Sequence, residues 1–181
     1  MRVIAGTAKG RRLAAPELAG LRPTSDRVRE AIFDILEARR LVEGASVLDL
    51  FCGSGALGIE ALSRGAASCS FVDESRRALA AVAANLRSVG MADRVGVRLV
   101  RSGARRFCLD SAERFSLAFL DPPYSFEHWP ELLAVLPAEV AVAEHARPLE
   151  TGGAYEVIRS YRYGGTLVTL VATKPTEKDS S

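Results

Sequence analysis

Short apolar runs alternate with amphipathic stretches through the middle of the chain. Apolar runs bounded by turn signals are typical of buried parallel strands, and apolar residues spaced three or four positions apart indicate helices. The pattern predicts strands at 46–51, 69–72, 95–101, 116–120 and 140–143. It predicts helices at 56–64, 75–89, 105–112 and 129–136. Strands and helices that alternate in this way form a mostly parallel sheet with helices on both faces.

The C-terminal part of the chain follows a different pattern. Residues 154–163 and 166–173 flank Gly164-Gly165, which predicts an antiparallel hairpin. Together with the parallel strands, this hairpin gives an α/β, Rossmann-like fold with a seven-stranded, mostly parallel sheet. The polar residues 175–181 predict a disordered tail.

The N-terminal part predicts a small extension in front of this fold. Segments at 2–5 and 10–13 suggest a short β-hairpin. From good N-cap residues at 24–26, a helix of about four turns is expected to reach residue 39 or 40. The predicted boundaries are an N-terminal hairpin extension at 1–23 and a main domain at 24–174.

Basic residues are concentrated in this extension. Residues 1–29 hold seven Lys and Arg against two Asp and Glu, although the whole chain has a net charge of only +2. A basic segment on a faintly acidic body indicates contact with a polyanion, and we favour RNA binding over a merely solvated face. The candidate RNA-binding residues are Arg2, Lys9, Arg11, Arg12, Arg22 and Arg27.

Composition argues against several classes of protein. The 181-residue chain is 48% hydrophobic, yet it has no apolar run near the length of a membrane span, and its first residues lack the apolar region of a signal peptide. Its three cysteines have no CxxC spacing and predict neither a disulfide framework nor a zinc site. We therefore expect a cytoplasmic protein with no metal and no membrane partner, and we also expect it to be a monomer.

The residues that follow the predicted strand at 116–120 are the candidate catalytic residues. They are Asp121, Pro122, Pro123 and Tyr124. Open α/β sheets bind ligands beyond the carboxyl ends of their strands. The two prolines have fixed φ and no N–H, so the loop is rigid and offers acceptors only. With Tyr124 as a stacking face, these acceptors suit a planar exocyclic amine on a nucleobase.

A glycine loop (residues 51–55) follows the first predicted strand. Gly53, Gly55 and Gly58 fit the G-x-G-x-x-G pattern, and Asp73 lies where a ribose-binding acid would fall. A nicotinamide-dependent oxidoreductase must therefore be considered. An acid beneath the loop, Asp49, is unfavourable near a pyrophosphate but suits S-adenosylmethionine, which carries a sulfonium and an α-amine. The candidate cofactor-binding residues are Asp49, Phe51, Gly53, Ser54, Gly55 and Asp73.

This chain resembles class I S-adenosylmethionine-dependent methyltransferases that act on amines. The residues that carry the resemblance are the motif Asp-x-Phe-x-Gly-x-Gly, then Asp73, and then Asp121–Tyr124. Further segments resemble the RsmD family across nearly the whole chain, and they lie at 2–6, 9–13, 22–33 and 57–66. The resemblance implies methylation of the exocyclic N2 amine of one guanine in 16S ribosomal RNA, either naked or in a small-subunit assembly intermediate.

One segment departs from the RsmD pattern. The family usually has Asp or Asn at the end of the third strand to bind the adenine amine, whereas this chain has Ser102 and Gly103 there. Ser102 or the backbone at Gly103 would then make that contact.

Two further polar residues are given a structural interpretation. His128 is interpreted as a surface residue rather than a proton relay, and Cys52 as a packing residue rather than a nucleophile.

Other activities stay open at this point. The Asp-Pro-Pro-Tyr motif also serves DNA or RNA methyltransferases that act on the amine of adenine or cytosine. A nicotinamide-dependent oxidoreductase and a non-catalytic RNA-binding module are weaker alternatives. Retention of S-adenosylmethionine rather than NAD would separate the methyltransferases from these two.

Overall fold

The computed structural model describes residues 1–14 and 26–174. Twelve regular elements follow one another in this part of the chain. The helices are α1 (Asp26–Ala38), α2 (Ala56–Ser63), α3 (Arg76–Val89), α4 (Ala104–Asp110) and α5 (Trp129–Leu133). The strands are β1 (Ser46–Leu50), β2 (Ser68–Asp73), β3 (Val97–Arg101), β4 (Phe115–Leu120), β5 (Ala138–His145), β6 (Tyr155–Tyr163) and β7 (Thr166–Thr173).

The seven strands form one sheet in the order β3-β2-β1-β4-β5-β7-β6. Strands β1 to β5 are parallel to one another, and β7 runs antiparallel to both β5 and β6. The order reverses between β1 and β4, which makes a crevice at the carboxyl ends of these strands. The predicted α/β fold with a C-terminal antiparallel hairpin is confirmed.

The register of the central strands places their carboxyl ends at one level. Leu50 pairs with Val72 on one side and with Leu120 on the other. Leu120 in turn pairs with Ala143 of β5. The residue that follows each of these positions therefore lies at the same edge of the sheet.

Helices cover both faces of the sheet, as predicted. The apolar residues of α1, α2 and α3 pack on one face with the N-terminal segment (residues 1–14), and those of α4 and α5 pack on the other. Val3, Ala8 and Leu13 are buried in the first of these cores. The N-terminal segment thus contributes apolar residues to this hydrophobic core.

Several predicted boundaries differ from those observed. The N-terminal hairpin contains a single antiparallel bridge, between Arg2 and Arg12, rather than two strands. Strand β3 begins at Val97, where pairing with Cys69 begins, and Val95 is 92% exposed. Strand β5 is longer than predicted at both ends, because Ala138 pairs with β4 and Glu144 and His145 pair with β7, and α5 is shorter.

Buried charges fasten the N-terminal segment to α1 and α2. Glu60 accepts the backbone N–H groups of Ile4 and Ala5 and the Nε–H of Arg64. Arg29 is also fully buried and donates to the carbonyl oxygen of Arg2. A buried carboxylate therefore joins the first residues of the chain to the helix that follows the glycine loop.

Among the described residues, no helix is long and apolar enough to cross a membrane. Four features predicted from the sequence lie outside the described residues. They are the N-cap at Thr24 and Ser25, the RNA-binding role of Arg22, the domain boundary at residue 23 and the tail at 175–181.

Candidate functional site

The Asp-Pro-Pro-Tyr loop (Asp121–Tyr124) leaves β4 and is held in place by two hydrogen bonds. The N–H of Phe126 donates to the carbonyl oxygen of Pro123 at 2.8 Å and closes a turn. The hydroxyl of Tyr124 is 2.9 Å from Oγ1 of Thr166 at the start of β7. Because Tyr124 is 54% exposed, its hydroxyl is anchored while much of its ring is accessible.

The glycine loop turns sharply after β1. Phe51 has a φ of 62°, which is unusual for a residue with a side chain and is found most often at functional sites. The N–H of Gly55 donates to the carbonyl oxygen of Cys52 at 2.7 Å. The N–H of Gly53 donates to Oδ2 of Asp73 at 3.0 Å. The loop is therefore tied to the end of β2.

Gly58 allows α2 to pack directly against the sheet. A Cβ at this position would lie 2.4 Å from Cε1 of Phe71, 2.7 Å from Sγ of Cys69 and 2.9 Å from Oδ2 of Asp49. The N–H of Gly58 donates to that same Asp49 oxygen at 2.9 Å. The third glycine of the motif thus serves close helix–strand packing, as it does in other glycine-rich loops of α/β folds.

Asp49 lies beneath the glycine loop and is only 2% exposed. Burial raises the pKa of its carboxyl well above the ordinary value of 3.8, the N–H of Gly58 lowers it in part, and the charges of Asp121 and Asp73 raise it further. The three carboxylates are therefore close enough to interact. Burial likewise raises the pKa of the Cys52 thiol, which agrees with packing rather than nucleophilic chemistry.

Asp73 organises the loops around it. Besides Gly53, it accepts the N–H of Ser75 through Oδ1 at 2.8 Å. Its backbone carbonyl oxygen accepts the N–H of Ser102 at 3.2 Å, which places the residue after β3 beside it. The Ser102 hydroxyl donates to the carbonyl oxygen of Gly103, the residue before α4. The predicted cofactor-binding residues that follow β1, β2 and β3 are thus brought together at one edge of the sheet.

The N-terminal segment also touches the glycine loop. Asn85 of α3 is buried, and its amide donates to the carbonyl oxygens of Ala14 and Ser54, at 2.9 Å each. Oγ of Ser54 is 3.8 Å from Sδ of Met1. The segment predicted to bind RNA therefore packs against the loop predicted to bind the cofactor.

Most of the predicted RNA-binding cations are exposed. Those described are Arg2, Lys9, Arg11, Arg12 and Arg27, and all of them are exposed. Arg29 belongs to the same basic stretch of sequence but is fully buried. Its Nη2 donates to Asp26 at 3.1 Å.

Sequence reasoning missed a cleft of about 210 Å³ beside the Asp-Pro-Pro-Tyr loop. Its walls include residues from that loop, from α5 and from the end of β5. Those that matter below are Pro122, Tyr124, Phe126, Trp129, Glu144 and His145. The sequence did contain a signal, because Glu144-His145 follows the apolar run of β5 just as Asp121 follows that of β4.

His145 is held rigidly in the wall of this cleft. Its Nδ1 contacts the carbonyl oxygen of Arg147, and its Nε2 is 2.8 Å from Oγ1 of Thr169. Burial lowers the pKa of the imidazole, and the contact with Arg147 raises it in part. His128, in contrast, is exposed, with Nδ1 3.8 Å from Oε1 of Glu131.

No group of three or more His, Cys, Asp or Glu side chains that could hold a metal ion occurs in residues 1–14 and 26–174.

Comparison with known proteins places the chain in a family. Residues 1–171 match the family described as Conserved hypothetical protein 95. This chain belongs to that family. YlbH from Bacillus subtilis is 39% identical over 183 residues, which span 94% of this chain and 97% of YlbH. Ribosomal RNA small subunit methyltransferase D from Escherichia coli is 39% identical over 124 residues, which span 68% of this chain and 60% of that protein.

A solved structure supports the same conclusion. The protein yhhF from Escherichia coli has a TM-score of 0.83 and 30% sequence identity to this chain, with 97% of this chain and 99% of that one covered. The resemblance to the RsmD family is confirmed by these findings. The roles assigned to individual residues remain predictions.

Proposed function

We propose that this protein transfers the methyl group of S-adenosylmethionine to the exocyclic N2 amine of a guanine in 16S ribosomal RNA. The expectation of a ribosomal RNA methyltransferase is confirmed at the level of the family, whose members include a ribosomal RNA small subunit methyltransferase. The guanine and its N2 atom are our proposal. We further propose that the enzyme acts in the cytoplasm, as a monomer.

One observation carries the proposal: an acceptor-only loop lies next to a glycine loop at the same edge of the sheet. Leu50 pairs with both Val72 and Leu120, so Asp73 and Asp121 flank Phe51 at one level. A cofactor that spans Asp73 and the glycine loop would therefore end close to Asp121. This is the arrangement that transfer between a bound cofactor and a substrate amine requires.

The residues present fit S-adenosylmethionine. Burial raises the pKa of Asp49 most, and the charges of Asp121 and Asp73 raise it further, so three acidic side chains interact at this site. Such a site favours a ligand with a sulfonium and an ammonium group and disfavours a pyrophosphate. We assign the ribose hydroxyls to Asp73, the methionine end to the surroundings of Asp49, and the adenine to Ser102 and Gly103.

When bound, S-adenosylmethionine supplies an electrophilic methyl group. The lone pair of a guanine amine is delocalised into the ring, so the amine is a poor nucleophile. Asp121 and the carbonyl oxygen of Pro122 can accept hydrogen bonds from the two N–H groups as the nitrogen becomes tetrahedral. Well-placed acceptors of this kind contribute roughly 3 kcal/mol each to the transition state. One N–H proton then passes through Asp121 to water.

The remaining residues hold the base in position. The exposed ring of Tyr124 can stack on the base, and its hydroxyl is fixed by Thr166. The base must be unpaired or flipped to reach this position. Exposed cations of the N-terminal segment, with Arg27 at the start of α1, would hold the RNA backbone.

Nucleoside mass spectrometry tests the proposal. The protein is incubated with labelled S-adenosylmethionine and 16S ribosomal RNA, immature small subunits or duplex DNA. We expect label in N2-methylguanosine and a large loss of turnover in Asp121→Ala with cofactor affinity retained, because the carboxylate acts chiefly as the amine rehybridises. Label in N6-methyladenine or a methylated cytosine, with none in N2-methylguanosine, would contradict it.

A further inference from the structure

The cleft beside the Asp-Pro-Pro-Tyr loop has the size and walls of a site for one base. Its volume of about 210 Å³ is below the roughly 300 Å³ at which pockets for drug-sized ligands begin. Pro122, Tyr124, Phe126 and Trp129 contribute apolar or aromatic surface to its walls. A planar ring that enters from the Asp-Pro-Pro-Tyr loop would therefore meet flat apolar groups on its faces.

Glu144 lines this cleft, and the register of the sheet places it at the level of Asp121. Leu120, the last residue of β4, pairs with Ala143 of β5, so Asp121 just beyond β4 and Glu144 in β5 follow at the same level. Neighbouring strands lie about 5 Å apart. Glu144 is only 6% exposed, and it lines the cleft together with Pro122. A second carboxylate thus lies one strand away from the one assigned to the target amine.

Two adjacent carboxylates match the hydrogen-bonding edge of guanine. Guanine presents the N1–H donor directly beside its N2 amine, so its edge carries only donors at these two atoms. Adenine presents its amine beside the acceptor N1, and cytosine presents its amine beside the acceptor N3. Because a carboxylate only accepts hydrogen bonds, it would face a lone pair in adenine or cytosine.

We propose that Glu144 selects guanine by accepting a hydrogen bond from N1–H while Asp121 serves the N2 amine. This role rests on the proposed function, since it requires an exocyclic amine as the methyl acceptor. It explains how a loop that suits any nucleobase amine can act on guanine alone. Sites built to pair with a substrate N–H reject analogues that lack it far more strongly than apolar pockets reject a change of size.

The test compares guanine with 2-aminopurine at the target position of the RNA. The analogue keeps the N2 amine but has an acceptor at N1. We expect the wild-type protein to prefer guanine by about 100-fold or more in kcat/KM for methyl transfer. Glu144→Gln can turn its NH₂ group toward the N1 acceptor, so we expect it to lower that preference by about tenfold or more, with cofactor affinity retained.

Glu139→Gln is the matched control. Glu139 is an exposed residue near the start of β5, whereas Glu144 is near its end, so this substitution should leave the preference for guanine unchanged. Equal rates on guanine and 2-aminopurine by the wild-type protein would overturn the role of Glu144 without use of any variant. So would a Glu144→Gln protein that binds the cofactor normally and keeps the full preference. Either result leaves the proposed function standing, whereas the absence of N2-methylguanosine from wild-type reactions would remove both.

Discussion

Glu60 joins four groups at the contact between the N-terminal segment and the main domain. Its side chain is fully buried. Oε2 accepts the N–H of Ile4 at 2.8 Å and lies 3.8 Å from Nε of Arg29. Oε1 accepts the N–H of Ala5 at 2.9 Å and the Nε–H of Arg64 at 2.8 Å. All four neighbours are donors, and two of them carry charge.

Replacing Glu60 by Gln keeps the shape of the side chain but should be strongly destabilising. Either orientation of the amide turns its NH₂ group toward one of these donors, and the charges of Arg29 and Arg64 lose their shared partner. Removal of one member of a buried ion pair costs about 3–5 kcal/mol. We expect this loss in the free energy of unfolding, which corresponds to a fall in melting temperature of roughly 6–20 °C for a chain of this size.

Glu37→Gln provides the control. Its carboxylate is 3.1 Å from Nη1 of Arg64, but the side chain is 49% exposed. Exposed pairs of this kind contribute less than about 1 kcal/mol. Equilibrium urea unfolding of both variants gives the comparison, and amide hydrogen exchange at Ile4 and Ala5 reports whether the N-terminal segment has loosened. If Glu60→Gln destabilises no more than Glu37→Gln, the buried carboxylate does not anchor the segment.

Three further predictions concern the cofactor, the RNA and pH. Calorimetry on Asp73→Ala should show that the free energy of S-adenosylmethionine binding is weaker by at least about 1–2 kcal/mol, which is the scale for a lost hydrogen bond to a charged group. Unchanged affinity would show that Asp73 does not bind the cofactor. If about four cations contact phosphates, log K for RNA binding should fall with the logarithm of the salt concentration at a slope near −3. The double variant Arg11→Ala, Arg12→Ala should make this slope less steep by about 1.5 and leave cofactor affinity unchanged. A double variant with the wild-type slope would show that these two residues do not contact the RNA. Because the pKa of Asp49 is raised on folding from 3.8, the folded state binds more protons than the unfolded state above that pH. The contribution of Asp49 to stability should therefore fall as pH rises above about 4, and urea unfolding of wild type and Asp49→Asn across this pH range should differ by that contribution.

The salt-dependence test uses substitutions because deletion would disturb the fold. The sequence predicts an N-terminal hairpin extension at 1–23, and its basic residues predict RNA binding. Its apolar residues Val3, Ala8 and Leu13 are buried in the main core. Gly6 lies so close to α2 that a Cβ there would be 1.8 Å from the carbonyl oxygen of Ser63. Removal of the segment would therefore test folding and RNA binding at once.

The central strands could be predicted because their apolar runs are buried on both faces of the sheet. Strands β1, β2 and β4 end within one residue of their predicted ends. The glycine loop and the Asp-Pro-Pro-Tyr loop follow directly from those ends. Strand order and register could not be predicted in the same way, because they depend on contacts between distant segments. Register is what brings Asp73, Asp121 and Glu144 to one level.

Polar residues whose partners are distant in sequence were the hardest to interpret. Arg29 contributed to the basic count of the N-terminal residues, yet it is buried against Glu60 on another helix. The exposed cations and this buried one look alike in sequence, because no local periodicity distinguishes a solvated arginine from a paired one. Glu144 was missed for the same reason, since only the pairing of β4 with β5 places it beside Asp121.

The grouping of Asp49, Asp73 and Asp121 bears on which of the two cofactor classes allowed by the glycine motif we propose. Burial under the glycine loop raises the pKa of Asp49 most, and the charges of Asp121 and Asp73 raise it further. Like charges held together in a partly buried site oppose one another unless a cation lies between them. A pyrophosphate would add to this repulsion, whereas a sulfonium and an ammonium group would relieve it. A bound cation would also favour ionisation of Asp49, so cofactor binding and proton release from Asp49 should be thermodynamically linked.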